Sequence, residues 1–253
     1  MYKKIAFFSV VILFLITGFN FIKSPSSPHP KDDSSVFAGE ILEFGRKLYS
    51  EQDEELIIRD FFNDRQGGVF ADIGCADYKD ASTTYYLEKH LGWSGIAVDA
   101  LAEFENGYVE NRPKTKFFNF IVTDHSGSKE PFYRLSDSVW QSSTSKEFVE
   151  SVAEDREDIR NVYQKFYIPT ITLTELLEKN GISEIDFLSM DIEGSEPAAL
   201  AGFDIDKFKP ELVCIEAHSN GNKIMRYFTR HGYERIKKYL KYDTQNWYFK
   251  PKN

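Results

Sequence analysis

Cysteine is scarce in this chain, which holds only Cys75 and Cys214 in 253 residues. Two thiols so far apart exclude a disulfide framework or a thiolate zinc site. Both fall in apolar, strand-like runs, where buried free thiols are the plain reading. Positive charge is also short, with 31 lysines and arginines against 40 acids and a net charge of -9. The first 24 residues hold Lys3, Lys4 and Lys23 and no acid, so the rest sets 28 basic residues against 40 acids. Such a body is a poor counterion for a phosphate backbone and argues against general nucleic-acid binding. No N-x-[ST] sequon, internal repeat or G-x-G-x-x-G loop occurs. What is present is apolar material, 42% of the residues, enough to build a core and to exclude wholesale disorder. The length suits one large α/β domain or two small ones.

Ile5 to Ile22 is an uncharged run of 18 residues behind Lys3 and Lys4. As a helix it would reach roughly 27 Å, enough to cross a hydrocarbon core. It is longer than a secretory signal core and ends in Phe19-Asn20-Phe21-Ile22-Lys23, without a small-x-small cleavage site. Residues 1–23 therefore read as a single-pass membrane anchor. Residues 24–36, with Pro25, Pro28 and Pro30, read as a flexible linker, and 37–253 as the globular domain. The side of the membrane stays open. Lys3 and Lys4 place the N-terminus in the cytoplasm and the body beyond the bilayer, whereas the absent sequon favours the cytosolic side.

Beyond the linker, short apolar runs alternate with helical spacing. Strands are expected at 68–73, 95–100, 116–123, 168–173, 185–190 and 212–217, with a closing pair at 233–240 and 246–250 that has no helix between. Helices are expected between 36 and 63, at 82–91, 101–111, 146–155, 174–180, 195–201 and 223–231. Continuous apolar strands alternating with helices imply a doubly wound, mostly parallel α/β sheet covered on both faces, and the closing pair implies one antiparallel strand. Residues 124–164 interrupt this rhythm as a polar insert.

Ligands of such sheets bind beyond the carboxyl ends of the strands. There the sequence places Asp72-Ile73-Gly74-Cys75, Asp99, Thr123-Asp124, Asp191-Ile192-Glu193-Gly194 and Glu216-Ala217-His218. Gly74 lets the backbone approach a ligand closely, and an acid ending the next strand, Asp99, suits both hydroxyls of a ribose. Taken singly, Gly74 also fits a plain turn and Asp99 a helix cap. Asp77 in the loop would repel a pyrophosphate but suits a cationic, phosphate-free ligand, which favours S-adenosylmethionine over a nicotinamide dinucleotide.

Three segments carry a resemblance: Val69-Phe-Ala-Asp-Ile-Gly-Cys-Ala-Asp77, Leu91-Gly-Trp-Ser-Gly-Ile-Ala-Val-Asp99 and Ile185-Asp-Phe-Leu-Ser-Met-Asp-Ile-Glu-Gly-Ser-Glu196. They resemble the signature segments of FkbM-type methyltransferases, from about Gly67 to Ala217. Ser82-Thr-Thr-Tyr-Tyr-Leu-Glu88 resembles the helix of one branch of that family. Tyr78 and Thr174 depart from its pattern, where a glycine and an aspartate are usual. The resemblance implies a seven-stranded class I, Rossmann-like methyltransferase fold and S-adenosylmethionine as methyl donor. It places Asp72, Gly74 and Cys75 at the methionine end, Asp99 at the ribose, and Thr123 and Asp124 near the adenine. It also implies methylation of a hydroxyl, as on a sugar or polyketide.

Removing a hydroxyl proton asks for a base, and Asp191, Glu193, Glu216 and His218 are the candidates. Asp191 and Glu193 could instead hold a divalent ion with Glu216, or favour the dipole of the next helix. Nothing in the sequence fixes a complete metal-ligand set. The insert with Trp140-Gln-Ser-Ser-Thr144 reads as the acceptor-side wall or as a surface excursion. The basic stretch 226–253 reads as a solvated face or as a surface for anionic headgroups. The expected function is a membrane-anchored O-methyltransferase acting on a glycan, lipid-linked sugar or small molecule. The alternatives are a tethered, non-catalytic interaction module and, third, a nicotinamide-dependent enzyme.

Overall fold

Apolar residues that alternate between two faces define the strands of the computed structural model, which describes residues 41–136, 138–153, 163–217 and 220–252. In β1 (Val69–Ile73), Phe70 points to one layer of core and Ala71 and Ile73 to the other. β2 (Ser94–Asp99), β3 (Thr115–Asn119), β7 (Phe187–Met190) and β8 (Leu212–Glu216) join β1 in parallel register. These five lie in the order β3-β2-β1-β7-β8, and two further strands complete the sheet beyond β8. β10 (Asn246–Pro251) enters antiparallel between β8 and the short β9 (Tyr233–Arg235). The expected seven-stranded sheet with one antiparallel member is therefore present.

Helices cover both faces, as buried strands require. One layer packs α1 (Glu54–Phe62) and α2 (Tyr85–Leu91) on Phe70, Phe187, Leu212 and Tyr248. The other packs α5 (Leu173–Lys179), α6 (Glu196–Ala201) and α8 (Gly221–Arg230) on Ile73, Val98, Met190 and Ile215. α3 (Glu105–Asn111) follows β2, and α7 (Ile205–Phe208) precedes β8. α2 ends at Gly92, whose φ of +72° lets the chain reverse into β2.

Three expectations need correction. The strand expected at 116–123 breaks at Phe120, whose N–H bonds the carbonyl of Asp99. β4 (Ile121–Val122) leaves the main sheet and pairs with β6 (Tyr163–Ile171). With β5 (Lys129–Leu135) these form a second sheet, β4-β6-β5, so the strand expected at 168–173 belongs there. The strand expected at 233–240 stops at Arg235 and continues as a 3-10 turn, Lys237–Lys241. α4 (Lys146–Val152), capped by the Ser145 hydroxyl, is the helix expected in the insert.

The expected anchor, 1–23, and linker, 24–36, lie outside the described residues. Among the described residues, no helix is long and apolar enough to cross a membrane.

Candidate active site

The parallel strands end on one edge, and the chain reverses there by turns that dictate residue type. Gly74 has φ +83°, and a β-carbon on it would stand 1.7 Å from the carbonyl oxygen of Asp191. Only glycine meets both conditions. The N–H groups of Gly74 and Cys75 both reach the Val98 carbonyl, at 2.8 and 3.2 Å. Ala76 follows with φ +45°, and its N–H donates to Asp99 Oδ2 at 3.0 Å. Leu101 N–H donates to Asp99 Oδ1 at 2.8 Å. Asp99 is thus fixed by two backbone donors, and each oxygen retains acceptor capacity toward the cavity that it lines. Enclosure by protein pushes its carboxyl up to about 6, helped by Asp72 and Glu103 and opposed by the two N–H donors.

The cavity lies over the ends of β1, β2 and β7 and has two unlike ends. One is apolar, formed by Leu101, Phe104, Phe120, Ile121, Phe132 and Val139, with Trp140 at half exposure. The other is acidic, with Glu51, Glu54, Asp72, Asp191 and Glu193 in its wall. No lysine, arginine or histidine lines it among the described residues. Cross-strand register explains the acidic floor: Asp72 pairs with Ser189, and Ser189 with Cys214, so their side chains share the α1 face. Asp72 is buried and accepts the Thr84 hydroxyl at 2.7 Å. Burial raises its carboxyl above the usual range, while Thr84, Arg112 and Ser189 pull it down.

After β7 the chain turns sharply, with Glu193 at φ +54° and Gly194 at φ +91°. Glu193 holds a left-handed conformation that costs a non-glycine residue about 1 kcal/mol or more. Contacts on both sides keep it there. Ser143 donates to the Glu193 carbonyl at 2.9 Å, Asn220 donates to that of Gly194 at 2.9 Å, and the Thr144 and Ser195 hydroxyls meet at 2.6 Å. Glu196 Oε1 accepts the N–H groups of Ile192 and Gly194, each at 3.1 Å.

Crowding sets the protonation of this loop. Asp191 is open to the cavity, yet the surrounding protein raises it to about 7, with Glu196 and Glu51 adding like charge. Glu193 is raised to about 8 by enclosure and then by Asp191. Glu216 is raised to about 9 by enclosure and then by Asp191 and Glu196, and it hydrogen-bonds Glu196. One oxygen each of Asp191, Glu196 and Glu216 lies within 4.8 Å of the others. The acid trio is thus completed by Glu196 and not, as the metal reading had it, by Glu193. Within the trio, Glu196 bonds two amides and Glu216, whereas Asp191 meets them through like charge.

Of the residues singled out in the sequence, Asp72, Gly74, Cys75, Asp99, Asp191 and Glu193 come together around the cavity. Glu216 stands behind Asp191 and does not line it. Three others are placed elsewhere. Asp77 turns back to accept the N–H groups of Lys79 and Asp80, at 2.9 and 2.8 Å. Thr123 is buried with its N–H on the Ile171 carbonyl, and Asp124 is exposed and paired with His125 at 2.7 Å. Because the third strand breaks at Phe120, the residues facing the cavity are Phe120 to Val122, and Thr123 and Asp124 follow β4 into the loop that leads to β5. His218 lies outside the described residues. Tyr78 does not plug the cavity: its ring packs over Gly107 and beside Tyr85. Of the insert, Phe132, Val139, Trp140, Ser142 and Thr144 line the cavity. Glu51, Glu54, Glu196 and Ser189 were not anticipated as site residues. Glu196 alone carried a signal, an acid two residues beyond Gly194 at a helix start.

These residues fit a cation bearing a ribose and a neutral aromatic base. Gly74 lets the β1 turn lie directly against the Asp191 carbonyl while still lining the cavity, Asp99 presents acceptors to vicinal hydroxyls, and the apolar end suits the base. A pyrophosphate would meet several acids and, among the described residues, no basic side chain. Fold and site together define a Rossmann-like methyltransferase that takes its methyl group from S-adenosylmethionine. The model of the FkbM methyltransferase domain matches residues 69–235, and the chain belongs to that family. No curated protein sequence matches the chain. Among solved structures it is similar to a precorrin-6y C5,15-methyltransferase from Geobacter metallireducens, at 12% identity and TM-score 0.42, over 81% of this chain and 80% of that one. It is also similar to a TehB-like SAM-dependent methyltransferase from Corynebacterium glutamicum, at 12% identity and TM-score 0.43, over 84% and 92% of the two chains. A precorrin 8w decarboxylase from Methanobacterium thermoautotrophicum matches at 13% identity and TM-score 0.42, over 75% and 76%.

Proposed function

We propose that the protein is a membrane-anchored O-methyltransferase that modifies a hydroxyl of a glycan, a lipid-linked sugar or a small molecule. The observation that carries this reading is the pair Asp191 and Glu193 in the cavity wall, raised to about 7 and about 8. An ordinary carboxylate is a weak base toward an alcohol. A carboxylate whose proton affinity lies near neutral pH gives both the ionised form and a useful driving force for proton transfer.

S-adenosylmethionine, when bound, supplies an activated methyl group on a cationic sulfur. Gly74 to Ala76 and Asp99 would hold its ribose and methionine portions, and Leu101, Phe120, Ile121 and Phe132 its adenine. Asp191 or Glu193 takes the hydroxyl proton as the acceptor oxygen becomes nucleophilic. The insert closes the acceptor side and limits water, through the bonds of Ser143 and Thr144 to the 193–195 turn. The apolar run 5–22 supports tethering to a membrane, which would confine the enzyme to acceptors at that surface.

The test is transfer of a labelled methyl group from S-adenosylmethionine to a panel of neutral sugars, lipid-linked sugars and small alcohols. It uses the full chain in membrane fractions, with protease protection reporting the side. Label in alkali-stable ether linkage is the expected result. Label found only on nitrogen or carbon would overturn O-methylation. Donor binding without transfer to any acceptor would favour the non-catalytic reading.

A further inference from the structure

A buried cation lies behind the methyl-donor cavity without touching it. Arg112, at the end of α3, is 2% exposed. Its Nε donates to Glu88 Oε2 at 2.7 Å and its Nη1 to the carbonyl of Tyr78 at 2.9 Å. Its Nη2 donates to the hydroxyls of Thr84 and Thr115, each at 3.2 Å. Thr84 is fully buried; its oxygen accepts from Arg112 while its hydroxyl proton goes to Asp72 Oδ2 at 2.7 Å. The result is a directed chain, guanidinium to hydroxyl to carboxylate, whose last member lines the cavity.

We propose that Arg112 is a positioning residue for the methyl donor. Through Thr84 it keeps Asp72 ionised and oriented, and through the Tyr78 carbonyl it fixes the turn that follows Gly74.

The chemistry of a hydrogen-bond chain supports this role. A hydroxyl that accepts from a guanidinium becomes a better donor, so its bond to the carboxylate strengthens. Asp72 needs that help. It is buried among Asp99 at the end of β2, Asp191 after β7, the Cys75 thiol and the Tyr108 phenol, and Arg112 is the cation that faces it. An uncompensated carboxylate there would take up a proton and lose its attraction for a cationic ligand. Glu88 does not compete for the role, since its Oε1 accepts the Lys114 N–H and its Oε2 takes Arg112 and Thr115. The same guanidinium also ties the loop to α2 and β3, so loop and acid are set by one group.

The experiment is titration calorimetry of the full chain with S-adenosylmethionine between pH 5 and 8, with unliganded melting recorded beside it. Thr84→Val removes the relay hydroxyl at constant shape. It is expected to weaken binding at least tenfold at pH 7 and to move the acid limb of binding to higher pH, with Thr84→Ser restoring both. The paired variant Arg112→Met with Glu88→Gln, which removes the ion pair as a unit so that Glu88 is not left charged and alone while Asp72 loses its cation, is expected to weaken binding similarly. Should that pair fail to fold, Thr84→Val decides. Wild-type affinity with an unmoved acid limb in folded Thr84→Val would overturn the proposal.

Discussion

Gly74 and Asp191 meet where β1 and β7 end: the α-carbon of the first lies under the backbone carbonyl of the second, with no room for a methyl group between. This contact joins the two halves of the site, the donor turn and the acidic turn. Gly74→Ala must therefore displace one of them and also carry a φ of +83°. The expected cost is about 3 kcal/mol or more in urea unfolding. An unfolding midpoint equal to that of the wild type would contradict the contact.

Asp99 titrates inside the working range. Its proton affinity, raised to about 6, means that the ionised acceptor required by the proposed contact with ribose hydroxyls is lost as pH falls through that value. Affinity for S-adenosylmethionine should decline below pH 6, by about tenfold per pH unit in the limit. Asp99→Ala should abolish binding, and Asp99→Asn should weaken it and remove its contribution to the acid limb. Calorimetric titration over pH 4.5 to 7.5 measures this, and tight binding by Asp99→Ala would refute it.

Glu193 combines a strained backbone with the base role proposed for it above. Glu193→Gly relieves φ +54° and should stabilise the fold by about 1 kcal/mol, while methyl transfer falls at least tenfold. Glu193→Gln keeps the strain and should lower transfer without the gain. Thermal melting and a rate assay on one preparation separate the two effects. Equal stability of the two variants would show that the backbone conformation costs nothing.

Glu216 provides a signed dependence of stability on pH. Its carboxyl is raised to about 9, against about 4.5 in an unfolded chain. Between those values the native state binds more protons than the unfolded one, so stability falls as pH rises through this window. Glu216→Gln mimics the protonated form. It should melt about 2–4 °C above the wild type at pH 8.5, corresponding to roughly 1 kcal/mol, and show no advantage at pH 4. A variant less stable than the wild type at both pH values would rule out the protonated assignment.

The parallel sheet was legible because β1, β2, β7 and β8 are short apolar runs, each with an acid within one residue of its carboxyl end: Asp72, Asp99, Asp191 and Glu216. Gly74, Asp99 and Asp191 were legible for the same reason: the strand end announces them. Thr123 and Asp124 misled because nothing local to Phe120 says that the chain changes partners there. The exchange depends on β6, nearly fifty residues away. β5 was missed because Lys129, Glu130 and Pro131 open it without alternation, and its pairing with β6 supplies what its own pattern lacks. Thr84 and Glu88 stood out only as members of the segment 82–88 that resembles a family helix, and Arg112, just past the helix expected at 101–111, carried no signal. Their burial arises from packing, which sequence spacing does not record.

The break at Phe120 also separates two jobs that a continuous strand would have fused. The seven-stranded ladder closes without residues 121–171, which hang from it as an appended module contributing one wall of the cavity. Such a module can be lengthened, trimmed or exchanged while the ladder and its donor turn keep their geometry. On the reading proposed above, choice of acceptor is in that sense modular, and a scaffold of this kind changes targets without relearning how to fold.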